Sequence, residues 1–337
     1  MANSKLMSDA KSRKDDEYYT LYDDISNELP LYKDQFRNKR VICPCDWDES
    51  FEEQIVYSDG SESFSNDLFS DRNFVKDINI DETKKSFEKK IDLINCNFVR
   101  FLVAHAEDYG IKSISVSGYN PKNDDGIRFQ DIDYSKYDLV ITNPPFSQIT
   151  EFFDVMIKNK KQFLVIGPQT ALGYKDSFCY IRENKMWLGY AKQLIGFGRP
   201  NGDVLLSKNP EGSVPRACKW FTNLDVSYRH DEIILTEKYD SKKYIHYDNF
   251  DGIDVGKVSD IPYDYEGAIG VPITFIQKYN PNQFEILGLG SGDSAKELGI
   301  KKNYRGRTDL AYTKDGKQSC PFGRILIKNK KVRKDED

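Results

Sequence analysis

The sequence predicts an α/β fold, a mainly parallel sheet with helices between its strands, followed by a region of shorter strands. Three observations predict it. The runs Ile111–Val116, Tyr137–Thr142 and Phe163–Ile166 have strand length and strand composition. Helical patterns separate them, which implies βαβ units with right-handed crossovers and ligands at the carboxyl ends of the strands. From about residue 185 the pattern changes to short β-like runs divided by Gly and Pro.

Taken in order, the first 16 residues are polar and mixed in charge and read as a disordered lead-in. Between Tyr18 and Phe36, apolar residues recur at three- and four-residue steps, which predicts a core-covering helix that Pro30 divides in two. Val41–Cys43 reads as a short buried strand, and the Ser/Asp/Glu-rich stretch to about residue 72 as loop and short helix. Phe87 to Tyr109 reads as helix, with Ile91, Ile94, Phe98, Phe101, Leu102 and Ala106 on one face and Gly110 as its stop. Beyond 185, the runs 187–188, 219–222, 233–235, 273–276, 284–287 and 324–327 read as strands. A core over 17–230 is therefore expected, with 231–334 completing the sheet and building an appendage.

Composition narrows the function. No apolar run reaches the ~18 residues of a membrane span and the first residues lack an apolar signal core, so a cytoplasmic protein is expected. Six scattered cysteines form neither a disulfide framework nor paired zinc spacing; Cys43 and Cys45 have no second pair to complete a metal site. The net charge of -5 hides an asymmetry, because residues 296–334 carry thirteen Lys or Arg against three acids. A polyanion responds to that local field, and Lys301, Lys302, Arg305, Arg307 and Arg324 are candidates for phosphate anchoring and bidentate contacts to guanine. A solvated, lysine-rich surface gives the same pattern.

The most informative residues are Asn143-Pro144-Pro145-Phe146, directly after the strand ending at Thr142. Two prolines give a rigid turn without amide donors, leaving the Asn side chain and the carbonyl of Pro144 to face a ligand. Such a pair of acceptors suits an exocyclic amine attacking a sulfonium methyl group, with Phe146 stacked on the base. Asn-Pro-Pro also occurs as an ordinary turn.

With those residues the sequence resembles the EcoRI-type adenine-specific DNA methyltransferases, over nearly the whole chain. The resemblance is carried by Thr142–Ser147, Asp16–Thr20, Val41–Asp46, Phe163–Gly167, Glu183–Gly189, Trp220–Val226, Gly270–Phe275 and Arg324–Lys330. It implies a Rossmann-like S-adenosylmethionine-dependent core with a carboxyl-terminal target-recognition appendage. It also implies adenine in double-stranded DNA as the acceptor, flipped from the stack, and one of two settings: restriction–modification, with a cognate restriction endonuclease acting on the same site as partner, or anti-restriction, without one.

By position, the resemblance puts Tyr19 and Thr20 at the donor pocket, although their spacing equally fits one packed helix face. It puts Asp46 on the donor's methionine part or ribose, in a loop lacking the usual glycines. It assigns Asp131, in preference to Asp133, to the donor's adenine; a solvated acidic loop with Asp124, Asp125 and Asp138 is the alternative. The glycine-rich run Gly288–Gly292 looks like a second cofactor loop, but too few residues follow it, and it reads as a flexible surface loop. Two other functions compete: a methyltransferase acting on RNA or a protein amide, and a catalytically inert DNA-binding module.

Overall fold

The computed structural model describes residues 19–46, 55–58, 75–89, 97–120, 125–198, 204–206 and 217–333. The predicted lead-in lies outside them. The chain forms two compact units, Met1–Pro145 with Gln193–Cys218 and Phe146–Lys192 with Lys219–Asp337.

In the first unit, β1 (Tyr19–Thr20) is followed by α1 (Tyr22–Glu28) and a 3-10 segment, Leu29–Gln35. Pro30 stands in the first turn of that segment, where a missing N–H leaves no helical bond unmade. The periodicity of 18–36 thus marks two short helical pieces, but Tyr19 and Thr20 pair in a sheet instead of extending the helix.

Four strands follow: β2 (Arg40–Cys43), β3 (Lys76–Asp77), β4 (Ser113–Val116) and β5 (Leu139–Thr142), in the order β3-β4-β2-β5. β2 runs parallel to both β4 and β5, and β3 pairs antiparallel at the edge. Val41, Ile42, Cys43, Ile114, Leu139, Val140 and Ile141 are fully buried, as central parallel strands covered on both faces require.

Of the helix expected over 87–109, the described residues belong to α2 (Ile80–Lys89) and α3 (Asn97–Tyr109), and Ile91 and Ile94 lie outside the described residues. α3 buries Phe98, Phe101, Leu102 and Ala106, and Gly110, at φ 62°, ends it.

In the second unit, α4 (Ile149–Lys158) leads to β6 (Gln162–Pro168), α5 (Lys175–Arg182), β7 (Trp187–Leu188) and β8 (Cys218–Thr222), with β8 between β6 and β7. A separate five-stranded sheet contains β9 (Ile245–His246), β10 (Gly252–Asp254), β11 (Ala268–Pro272), β12 (Phe284–Leu289) and β13 (Arg324–Asn329), ordered β9-β10-β11-β13-β12. Only β10 and β11 are parallel in it.

Three expectations change here. Ile273–Ile276 lies in a 3-10 segment after Pro272, and 233–235 forms no strand; Gln283 satisfies the Ile233 N–H and carbonyl from its side chain. Gly288–Gly292 is no flexible loop, because Gly288 and Leu289 end β12 and Gly292 begins the short helix α6 (Gly292–Glu297). A Cβ at Gly288 would come 2.8 Å from Leu298, and one at Gly290 2.4 Å from Leu310, so these glycines permit close packing.

Candidate active site

The loops that follow β2, β4 and β5 meet at the carboxyl ends of these strands. The Ser117 N–H donates to the Cys43 carbonyl at 3.1 Å, and the Cys45 N–H to Thr142 Oγ1 at 3.2 Å. Thr142 then donates its hydroxyl to Asp46 Oδ2 at 2.5 Å. One buried hydroxyl at the last residue of β5 therefore fixes the glycine-free turn after β2.

Burial pushes the Asp46 carboxyl up to about 7, with the Thr142 hydrogen bond opposing the shift. Asn143 follows Thr142 directly. Its residue is half-buried and its Oδ1 is buried; Pro144 is buried, Pro145 exposed, and Phe146 half-buried at the start of the 3-10 turn Phe146–Gln148.

Tyr19 and Thr20 pair antiparallel with Gly198 and Phe197. The Asp24 carboxylate accepts the N–H groups of Ile195 and Gly196 at 2.7 and 3.3 Å, which pins that partner strand to α1. Asn97 donates to the Thr20 carbonyl at 2.8 Å. Thr20 itself is only 4% exposed, and its Oγ1 has no hydrogen-bond partner among the described residues. A buried hydroxyl left in that state is costly, so it marks a position suited to a polar ligand.

Sequence reasoning missed Asp24 and Asn97. Their side chains act on backbone groups more than 70 residues away, and no local pattern announces that.

Asp131 is exposed at the end of the 3-10 turn Phe129–Asp131, and Tyr134 holds the turn by donating to the Phe129 carbonyl at 2.9 Å. Asp133 is occupied locally, accepting from the N–H and hydroxyl of Ser135. Among the described residues no hydrogen bond joins Asp131 to Asp46, Asn143 or Thr20, whereas Thr142, the residue before Asn143, is bonded to the Asp46 turn.

The five candidate cations divide. Lys301, Lys302, Arg305 and Arg307 are exposed on one loop. Asn303 Oδ1 accepts the N–H groups of Arg305 and Arg307, and buried Asn249 bonds the carbonyls of Lys301 and Asp309, so the loop has a fixed backbone. Arg324 requires correction. Its Nε and Nη2 bind the two Asp254 carboxylate oxygens at 2.8 and 3.2 Å inside the five-stranded sheet, with both side chains largely buried. Tyr247 donates to the same carboxylate at 2.7 Å. A guanidinium committed in this way braces β13 against β10 and is not presented to a base edge.

An Asn-Pro-Pro-aromatic turn leaving a parallel strand, tied to a carboxylate in the turn after the neighbouring strand, fits the class of enzymes that transfer a methyl group to an amine. Comparison with known proteins makes the class specific. The family model described as adenine-specific methyltransferase EcoRI matches residues 6–56 and 131–330. The chain is 36% identical over 352 residues to the type II methyltransferase M.EcoRI of Escherichia coli, covering 99% of each protein. It is 30% identical to the type II methyltransferase M.MgeORF184P of Mycoplasma genitalium, over 96% of this chain and 98% of that protein. It is 26% identical to M.MpnI of Mycoplasma pneumoniae, over 95% and 97%. No solved structure matches the chain significantly. This chain belongs to the EcoRI family of adenine-specific methyltransferases. No helix among the described residues is long and apolar enough to cross a membrane.

Proposed function

We propose that the chain transfers a methyl group from S-adenosylmethionine to the exocyclic amine of adenine at a specific sequence in double-stranded DNA, the base being flipped out of the stack. The observation that carries this reading is the attachment of Asn143-Pro144-Pro145-Phe146 to the Asp46 turn through the Thr142 hydroxyl. On this reading residues 17–230 form a Rossmann-like core and 231–334 complete the fold and recognise the target. The setting is cytoplasmic restriction–modification, with a cognate endonuclease reading the same site.

The amine of adenine is a poor nucleophile because its lone pair is delocalised into the ring. Asn143 Oδ1 and the Pro144 carbonyl accept its two N–H bonds, turning the nitrogen towards tetrahedral geometry and its lone pair towards the methyl group. Phe146 stacks on the extruded base. Bound S-adenosylmethionine supplies the electrophilic methyl group. Buried Thr20 Oγ1 and the Asp46 carboxylate fit the polar and cationic groups of that donor, and Tyr19 and Asp131 border it. As the C–N bond forms, the sulfonium C–S bond breaks with its electron pair kept by sulfur, which leaves as the neutral thioether, and the amine's surplus proton passes to solvent. Lys301, Lys302, Arg305 and Arg307 anchor DNA phosphates.

Labelled donor offered with duplex DNA, RNA and ribosomal protein tests the reading. Label in duplex adenine alone is expected, and methylation-sensitive sequencing of DNA from expressing cells then gives the site. Label in RNA or protein, or in nothing, contradicts it.

A further inference from the structure

The most exposed large apolar side chain of the described residues is Phe322, at 95% exposure. It stands in Pro321-Phe322-Gly323, between the hairpin 312–319 and β13, and Gly323 has a φ of 57°. A ring this open has no packing role in the fold, and its apolar face is hydrated unless a partner covers it.

Its neighbours are cationic. Asn303 donates to Cys320 Sγ at 3.3 Å and Tyr304 to the Gln318 carbonyl at 3.4 Å, which sets the loop carrying Arg305 and Arg307 against the segment leading to Phe322. The Arg305 guanidinium lies 5.1 Å from the centre of the half-exposed Tyr304 ring. Lys314 and Lys317, on the hairpin, are exposed as well. None of Lys301, Lys302, Arg305, Arg307, Lys314 and Lys317 has an ion pair among the described residues.

We propose that Phe322 is a wedge that enters a base step of duplex DNA while these cations hold the flanking phosphates. The proposal rests on duplex DNA being the substrate. Charge complementarity selects that occupant, because an exposed ring two residues from a segment bonded to a cationic loop suits a polyanion whose interior is a stack of aromatic faces. A wedge of this kind unstacks and bends the duplex, and lowers the cost of taking a base out of the helix.

The test measures binding of the full chain to duplexes containing its methylated site, with 2-aminopurine placed in turn at each step, across a salt series. Phe322→Ala is expected to weaken binding about 5- to 150-fold, to abolish the fluorescence rise at one step, and to leave the salt slope and the melting temperature unchanged. Phe322→Leu, still an apolar wedge, should recover much of the affinity. Neutralising Lys301, Lys302, Arg305 and Arg307 should instead flatten the salt slope. Wild-type binding with no change in Phe322→Ala overturns the wedge alone. Dissociation of a protein dimer by Phe322→Ala also overturns it, since the ring would then serve a second copy of the chain. A wild-type chain that neither binds nor methylates duplex DNA overturns the wedge and the proposed function together.

Discussion

Thr142 Oγ1 donates to Asp46 Oδ2 across 96 residues of sequence, joining the last residue of β5 to the turn after β2. It stands one residue before Asn143, so a single hydroxyl positions both the Asp46 carboxylate and the Asn143 turn, which the proposed reaction uses for donor and acceptor. Thr142→Val keeps the shape and removes the bond. It should raise the Asp46 carboxyl further, cost about 1–3 kcal/mol of stability, and lower both donor affinity and turnover. Chemical denaturation beside calorimetry checks this; a variant that loses stability with both functions intact contradicts the coupling.

The Asp46 carboxyl, at about 7 in the fold against an ordinary 3.8, gives a pH dependence of definite sign. Between those values the folded protein keeps a proton that the unfolded chain has released. Its stabilising contribution is therefore full below the ordinary value and is lost as pH rises through 7. Donor binding runs the other way, because a cationic sulfonium and ammonium favour the carboxylate. Donor affinity should rise about tenfold from pH 6 to pH 8, with proton release at the lower pH, and Asp46→Asn should flatten both profiles. Calorimetry in buffers of different ionisation heat reads the proton directly.

Thr20 offers a case in which stability and binding separate. Removing a buried hydroxyl that has no partner should leave the melting temperature unchanged or slightly higher in Thr20→Val, while donor affinity falls about 5- to 100-fold. Unaltered affinity removes Thr20 from the donor site.

Arg324 and the four exposed cations should respond differently. Arg324→Leu strands the buried Asp254 carboxylate and should cost about 3–5 kcal/mol in stability. Neutralising Lys301, Lys302, Arg305 and Arg307 should leave stability unchanged and reduce the slope of log K against log salt by roughly 0.9 for each phosphate no longer neutralised.

The sequence made some of this legible and hid the rest for identifiable reasons. The α/β class and the strand before Asn143 could be read because parallel strands buried on both faces are continuous apolar runs, as 139–142 is. The 273–276 run has the same local composition, yet it coils into a 3-10 segment after Pro272. The glycines at 288 and 290 look like loop residues until Leu298 and Leu310 are seen packed over them. Arg324 looks like a base-reading arginine until Asp254, 70 residues earlier, takes its guanidinium. Within the candidate site, Asn143 and Asp46 were visible as residue types; the hydroxyl bond from Thr142 to Asp46 and the buried Thr20 hydroxyl without a hydrogen-bond partner among the described residues are properties of three-dimensional contact.

The central claim is that Asn143 acts on the amine in the transition state, and single-turnover methylation by Asn143→Ala tests it most directly. The variant should fold with its normal melting temperature and bind donor and duplex within a few-fold of wild type, yet lose at least about a hundredfold in the rate of methyl transfer. A folded, DNA-binding Asn143→Ala protein that methylates at the wild-type rate would contradict the account.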